Sequence, residues 1–100
     1  MAKVDHIVLI KFKDGTPQEK VDGILDEFLD ISETIPGIEN FVGGPNSSPE
    51  GLNQGFTHAY VMTFADALSR DSYLKHPEYE RVNQLASELF ESVAVVDFEL

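Results

Sequence analysis

Positions 4–12 alternate, with Val4, His6, Val8, Ile10 and Phe12 on one side and Asp5, Ile7, Leu9 and Lys11 on the other. A period of two is a strand, and apolar residues stand on both of its faces. Asp14-Gly15 reads as a turn. Thr16-Pro17-Gln18-Glu19 then reads as a helix start, a capping box from Thr16 to Glu19 with Pro17 at the first helical position. The helix that follows carries Val21, Ile24, Leu25, Phe28, Leu29, Ser32 and Ile35 at the spacing of one buried stripe, and Pro36-Gly37 ends it.

A second strand is predicted at about 38–43, and the Gly, Pro, Asn and Ser of 44–51 make a loop. Residues 55–64 alternate again, Phe56, His58, Tyr60, Met62 and Phe64 against Thr57, Ala59, Val61 and Thr63. Asp66 caps a short helix that must end near Lys75, because the residue before Pro77 is pushed out of the α region. Pro77 opens another helix, with Tyr79, Val82, Leu85, Ala86, Leu89 and Phe90 as its inward stripe and Glu78 and Glu80 in its first turn. A last strand at about 92–99 holds Val93, Val95, Val96 and Phe98.

Strand, helix, strand, strand, broken helix, strand is the order of an α+β, ferredoxin-like β-α-β-β-α-β fold with a four-stranded antiparallel sheet. With every helix on one face, the other face presents Ile7, Leu9, Ala59 and Val61, too apolar to leave wet. The economical cover is a second copy packed sheet to sheet, a homodimer.

Composition adds bounds. One hundred residues make one domain, spanning 1–100, with a core small enough to gain from association. There is no cysteine, hence no disulfide framework and no thiolate metal site, and the expected compartment is the cytoplasm. No run of about 18 apolar residues exists to cross a membrane, and the N-terminus lacks a signal-peptide core. A net charge of −11 argues against nucleic acid and anionic lipid as partners. Residues 14–40 hold eight acids and one base, the solvated face of the first helix.

No phosphate loop, metal-ligand pair, nucleophile elbow or flavin fingerprint is present, so neither cofactor nor metal is expected. What remains is a set of polar groups aimed at one place. His6 and His58 lie in apolar rows of two strands, Tyr60 shares the row of His58, Tyr79 belongs to the last helix's inward stripe, and Tyr73 and His76 flank the helix break. Imidazole titrates near neutrality and serves as a base, while a tyrosine hydroxyl donates to a carbonyl or enolate oxygen. Tyr73, His58, His6 and Tyr79 are therefore the candidate catalytic groups, with Phe28, Tyr60, Met62 and His76 as candidate binding residues of a small-molecule pocket. The alternative is packing: buried histidines bonded to neighbours and tyrosines with satisfied hydroxyls.

His6-Ile-Val-Leu-Ile-Lys-Phe-Lys13, Ile35-Pro-Gly-Ile38, Gly43-Gly44, Gly55-Phe-Thr-His-Ala-Tyr60, Phe64 and Tyr73-Leu-Lys-His-Pro77 occur in the order and spacing of the stress-responsive A/B barrel (Dabb) domain, which the whole chain resembles. The resemblance implies a dimeric α+β barrel in which two sheets close around a shared interior. Most members have no assigned reaction, while a plant branch includes polyketide cyclases that close a poly-β-keto thioester by aldol condensation. In those enzymes a tyrosine acts with the second histidine of a His-Pro-x-His segment. Here the tyrosine matches as Tyr73 and the strand histidines as His6 and His58, but Tyr79 stands at the second histidine's place in His76-Pro-Glu-Tyr79. A tyrosine with an ordinary pKa near 10 is a poor base at neutral pH. Three readings follow: a homodimeric stress-associated barrel with a small-ligand pocket, a cofactor-free cyclase or a monooxygenase of the related antibiotic-biosynthesis type, or an interaction module.

Overall fold

The computed structural model describes residues 2–100. Seven elements follow one another: β1 (Val4–Phe12), α1 (Gln18–Thr34), β2 (Ile38–Pro45), β3 (His58–Phe64), α2 (Ala67–Leu74), α3 (Pro77–Leu89) and β4 (Phe90–Glu99). The strands form one antiparallel sheet in the order β2-β3-β1-β4, the ferredoxin-like arrangement expected from the alternation. No helix among the described residues is long and apolar enough to cross a membrane.

The register sorts the sheet into rows. On the helix side Phe41, Met62, His6 and Asp97 stand side by side across four strands, and Gly43, Tyr60, Val8 and Val95 form the next row. Val4, Val8, Ile10, Tyr60, Met62 and Phe64 are buried there against Val21, Ile24, Phe28, Ile31 and Ile35 of α1 and its end, with Val82 and Ala86 of α3. Gly43 is required by its row: a Cβ at that position would lie 2.8 Å from the Cβ of Tyr60. The close approach accompanies a stack in which the Tyr60 ring sits 5.1 Å from both Phe28 and Phe41.

Among the described residues no helix covers the opposite face. Val42, Val61, Ile7 and Val96 make one continuous apolar row, followed by Gly44, Ala59, Leu9 and Ala94. Val42 is 55% exposed and Val96 61% exposed in the single chain.

Local details depart from the sequence reading for identifiable reasons. The capping box does not form: Pro17 takes the N-cap position without a side-chain cap, and the Thr16 hydroxyl donates instead to the Lys13 carbonyl at 2.6 Å. The buried stripe of α1 is rotated toward Ile31, leaving Leu29 exposed at the groove that α1 forms with β2. Leu85 of α3 is likewise exposed. β2 runs on to Pro45, so its last two residues come from the expected loop. β3 starts only at His58, since Gln54 and Gly55 take positive φ and Asn53 folds back on Phe56 through a 2.8 Å side-chain bond. Asp66 does cap α2, accepting from the Ser69 N–H at 2.8 Å. β4 begins at Phe90, where a register shift sets Phe12 edge-on to Phe90.

Candidate functional site

A cavity of about 300 Å³ lies between the sheet and α3, with β4 contributing to its wall. Val8, Phe28, Leu74, Phe90, Val93 and Val95 supply its apolar walls, and His6, Tyr60, Tyr79, Asn83 and Asp97 its polar groups. A larger, more open groove of about 670 Å³ between α1 and β2 holds Asp22 and Asp26 but none of the histidines or tyrosines. The smaller cavity is where the chemistry lies.

His6 is its centre. The side chain is 6% exposed, and Nδ1 lies 2.7 Å from Oδ1 of Asp97, the residue beside it in the same sheet row. A carboxylate only accepts, so Nδ1 carries the proton and, in the neutral ring, the lone pair is on Nε2. Asp97 does not depend on His6 alone: its Oδ2 accepts from Arg70 of α2 at 2.9 Å, and Arg70 also donates to Asp71 at 2.9 Å. Around the imidazole stand the rings of Phe64, Tyr73 and Tyr60, with centroids 6.0, 6.3 and 6.4 Å away.

The tyrosines are not equivalent. Tyr60 and Tyr79 line the cavity. Tyr73 lies behind Tyr79, wholly buried, and its hydroxyl, close to Tyr60 but outside hydrogen-bond geometry, has no partner. Burial pushes all three phenols above their ordinary pKa, so near neutrality they are donors and not bases.

The candidate residues thus separate. His6, Tyr60, Tyr79 and Phe28 meet at the cavity, and Tyr73 packs against His6 and Tyr79 without lining it. His58 does not join them. It pairs with Ile10 where His6 pairs with Met62, four residues further along the strand, or about 13 Å. There it packs edge-on to Phe12, with Nδ1 2.9 Å from the Thr57 hydroxyl. Met62 is fully buried in the core. His76 caps α3, its Nδ1 accepting from the Glu78 N–H at 3.1 Å, and lies at a different surface depression.

Asp97, Arg70 and Asn83 were missed by sequence reasoning. Asp97 had a usable signal, since Val93, Val95 and Asp97 are one period-two row with a single acid in it. Nothing in the sequence pattern brings Arg70 to that acid.

Comparison with known proteins agrees with the geometry of the fold. Residues 4–100 match the family model of the stress responsive A/B barrel domain. Among curated relatives, the stress-response A/B barrel domain-containing protein HS1 of Arabidopsis thaliana is 28% identical over 96 residues, 96% of this chain and 88% of that protein. Olivetolic acid cyclase of Cannabis sativa is 20% identical over 95 residues, 95% of this chain and 94% of that one. Of solved structures, At3g17210 from Arabidopsis thaliana superposes with a TM-score of 0.92 at 28% identity, covering 97% of this chain and 94% of that one. The hydroxynitrile lyase from Passiflora edulis shares the fold with a TM-score of 0.92 at 23% identity, with coverage of 99% and 94%. A dimeric protein of unknown function and ferredoxin-like fold from Bacteroides fragilis superposes with a TM-score of 0.75 at 27% identity, covering 100% of this chain and 98% of that one. With the model matching nearly its whole length, the chain belongs to the stress responsive A/B barrel domain family.

Proposed function

We propose that this protein is a homodimeric A/B barrel whose cavity takes a small, uncharged, mainly apolar carbonyl compound, on which His6 acts as a general base without any cofactor. The carrying observation is the 2.7 Å pair between His6 and Asp97 at the wall of an otherwise apolar cavity. Asp97 fixes the tautomer in which Nε2 is the free base, and Tyr60, Tyr79 and Asn83 offer donors for a carbonyl oxygen as it gains charge.

Two features narrow the ligand. Among the described residues no lysine or arginine lines the cavity, and the nearby Arg70 guanidinium is already taken by Asp97 and Asp71, so a carboxylate or phosphate would find no cation of its own there. The volume suits a molecule of one ring with short substituents, smaller than an extended poly-keto chain. By resemblance to the plant cyclases, Tyr79 replaces the histidine of the His-Pro-x-His segment, and in our reading the base role falls to His6. Two of the proteins that this chain resembles are named as enzymes, a cyclase and a lyase, which supports catalysis on this scaffold. The dimeric relative and the apolar row from Val42 to Val96 support self-association through the open sheet face.

Acetophenone, neutral, and benzoate, its anionic counterpart in size, test the ligand class. With acetophenone, NMR shifts are expected at Val8, Val93, Val95 and Tyr79, and benzoate leaves those signals in place. Equal response to both, or none to the ketone at millimolar concentration, overturns the reading.

A further inference from the structure

We propose that Arg70 is a positioning residue of this site: by holding the second oxygen of Asp97 it fixes Asp97 against Nδ1 of His6 and offsets the carboxylate's charge beside the imidazole. The inference rests on the function proposed for His6 and adds to it the group that tunes that base.

The geometry is a chain of three side chains from three elements. Arg70 Nη1 on α2 lies 2.9 Å from Asp97 Oδ2 on β4, and Asp97 Oδ1 lies 2.7 Å from His6 Nδ1 on β1. Each oxygen of one carboxylate therefore has its own partner, and the carboxylate has no freedom to rotate away from the imidazole. Arg70 is itself held, its Nε bonded to Asp71 and its helix anchored through the Asp66 cap.

The electrostatic consequence follows from counting what faces His6. A bare carboxylate this close favours imidazolium, and an imidazolium has no lone pair with which to take a proton. The groups packed around the ring are Tyr60 and Phe64 from β3, Tyr73 from α2 and Asp97 from β4, while Phe28 from α1 and Tyr79 from α3 share its cavity. The phenols are neutral at physiological pH, since burial raises all three. Among the described residues, Asp97 is then the carboxylate paired with the ring, and Arg70 is the cation that offsets it. Asp71, more exposed than Asp97, draws on the outer edge of the same guanidinium and does not touch His6.

The test is the titration of His6 by NMR of its ring nitrogens in the ligand-free protein, so it stands whether or not any carbonyl compound binds. In Arg70→Met the His6 midpoint is expected to move up by about one pH unit, since a neighbouring carboxylate has lost its counter-charge. Arg70→Lys, which keeps the charge but not the planar fork, moves it by less, and Asp71→Asn does not raise it. If Arg70→Met fails to fold, Arg70→Lys and Asp71→Asn still order the three proteins. A natively folded Arg70→Met or Arg70→Lys whose His6 titrates as in the parent, with the same tautomer, overturns the assignment. Loss of ketone binding with an intact Arg70 effect overturns only the function above.

Discussion

The rings of Tyr73 and Tyr79 lie 4.6 Å apart at 51° across the break between α2 and α3, and of the two side chains Tyr79 lines the cavity while Tyr73 is sealed behind it. The pair joins two helices that Lys75 and His76 separate, and Tyr73 backs the His6 imidazole with aromatic carbon. It also leaves the Tyr73 hydroxyl without a hydrogen bond.

An unpaired buried hydroxyl is destabilising, so Tyr73→Phe is expected to raise stability by about 1 kcal/mol, read as a higher midpoint in chemical denaturation. A lower midpoint would mean that the hydroxyl is bonded after all. Acetophenone binding to the same variant is the second readout. A fall in affinity accompanying the gain in stability assigns the hydroxyl to the bound ligand, and unchanged affinity assigns Tyr73 to the wall.

Alkaline pH probes the same cluster. The folded-state pKa values of Tyr60, Tyr73 and Tyr79 are raised, so the unfolded chain binds fewer protons than the folded one above the ordinary phenol pKa near 10. Stability is therefore intact below that value and falls as pH rises through it. Tyrosinate absorbance should appear in one step together with loss of the circular dichroism signal. Smooth ionisation of all three phenols in a still-folded protein would show that the cluster is wet.

The open face makes a separate prediction. Ile7 sits mid-sheet in the row Val42, Val61, Ile7, Val96, so Ile7→Asp would place an unpaired carboxylate in the centre of a sheet-to-sheet dimer. At about 3–5 kcal/mol, the dissociation constant rises by roughly two to four orders of magnitude. Sedimentation at micromolar concentration should show a dimer for the parent and a monomer for the variant. A parent that sediments as one 11.1 kDa species contradicts the self-association.

The contrast between His6 and His58 shows how far a sequence pattern reaches. Period-two alternation correctly assigns both to the helix-covered side, because side-chain direction along a strand is a local property. It does not say where along the strand the helices leave a gap. That depends on how α1 and α3 cross the sheet, and they leave the gap beside His6 while Phe12 packs on His58. The same reason hid Arg70, whose partner lies 27 residues away on another element. Asp97 was within reach, since a lone acid in the row Val93, Val95, Asp97 breaks the apolar pattern just as His6 breaks the row of β1. The helix boundaries marked by Asp66 and Pro77 were legible because capping and proline sterics act within a few residues. Thr16 fell to a local competitor, the Lys13 carbonyl.

The most direct measurement of the account is the exchange of the acetophenone methyl protons for deuterium in the presence of the protein, which requires a base to remove a proton next to the carbonyl. The parent should accelerate exchange above buffer, and His6→Ala should abolish the acceleration. Asp97→Asn, which reverses the hydrogen-bond demand on Nδ1, should reduce it at least ten-fold, within the general-base range of about 10²–10⁴. Exchange at the buffer rate with the parent, or at the parent rate with His6→Ala, contradicts the central claim that His6 is the base of this cavity.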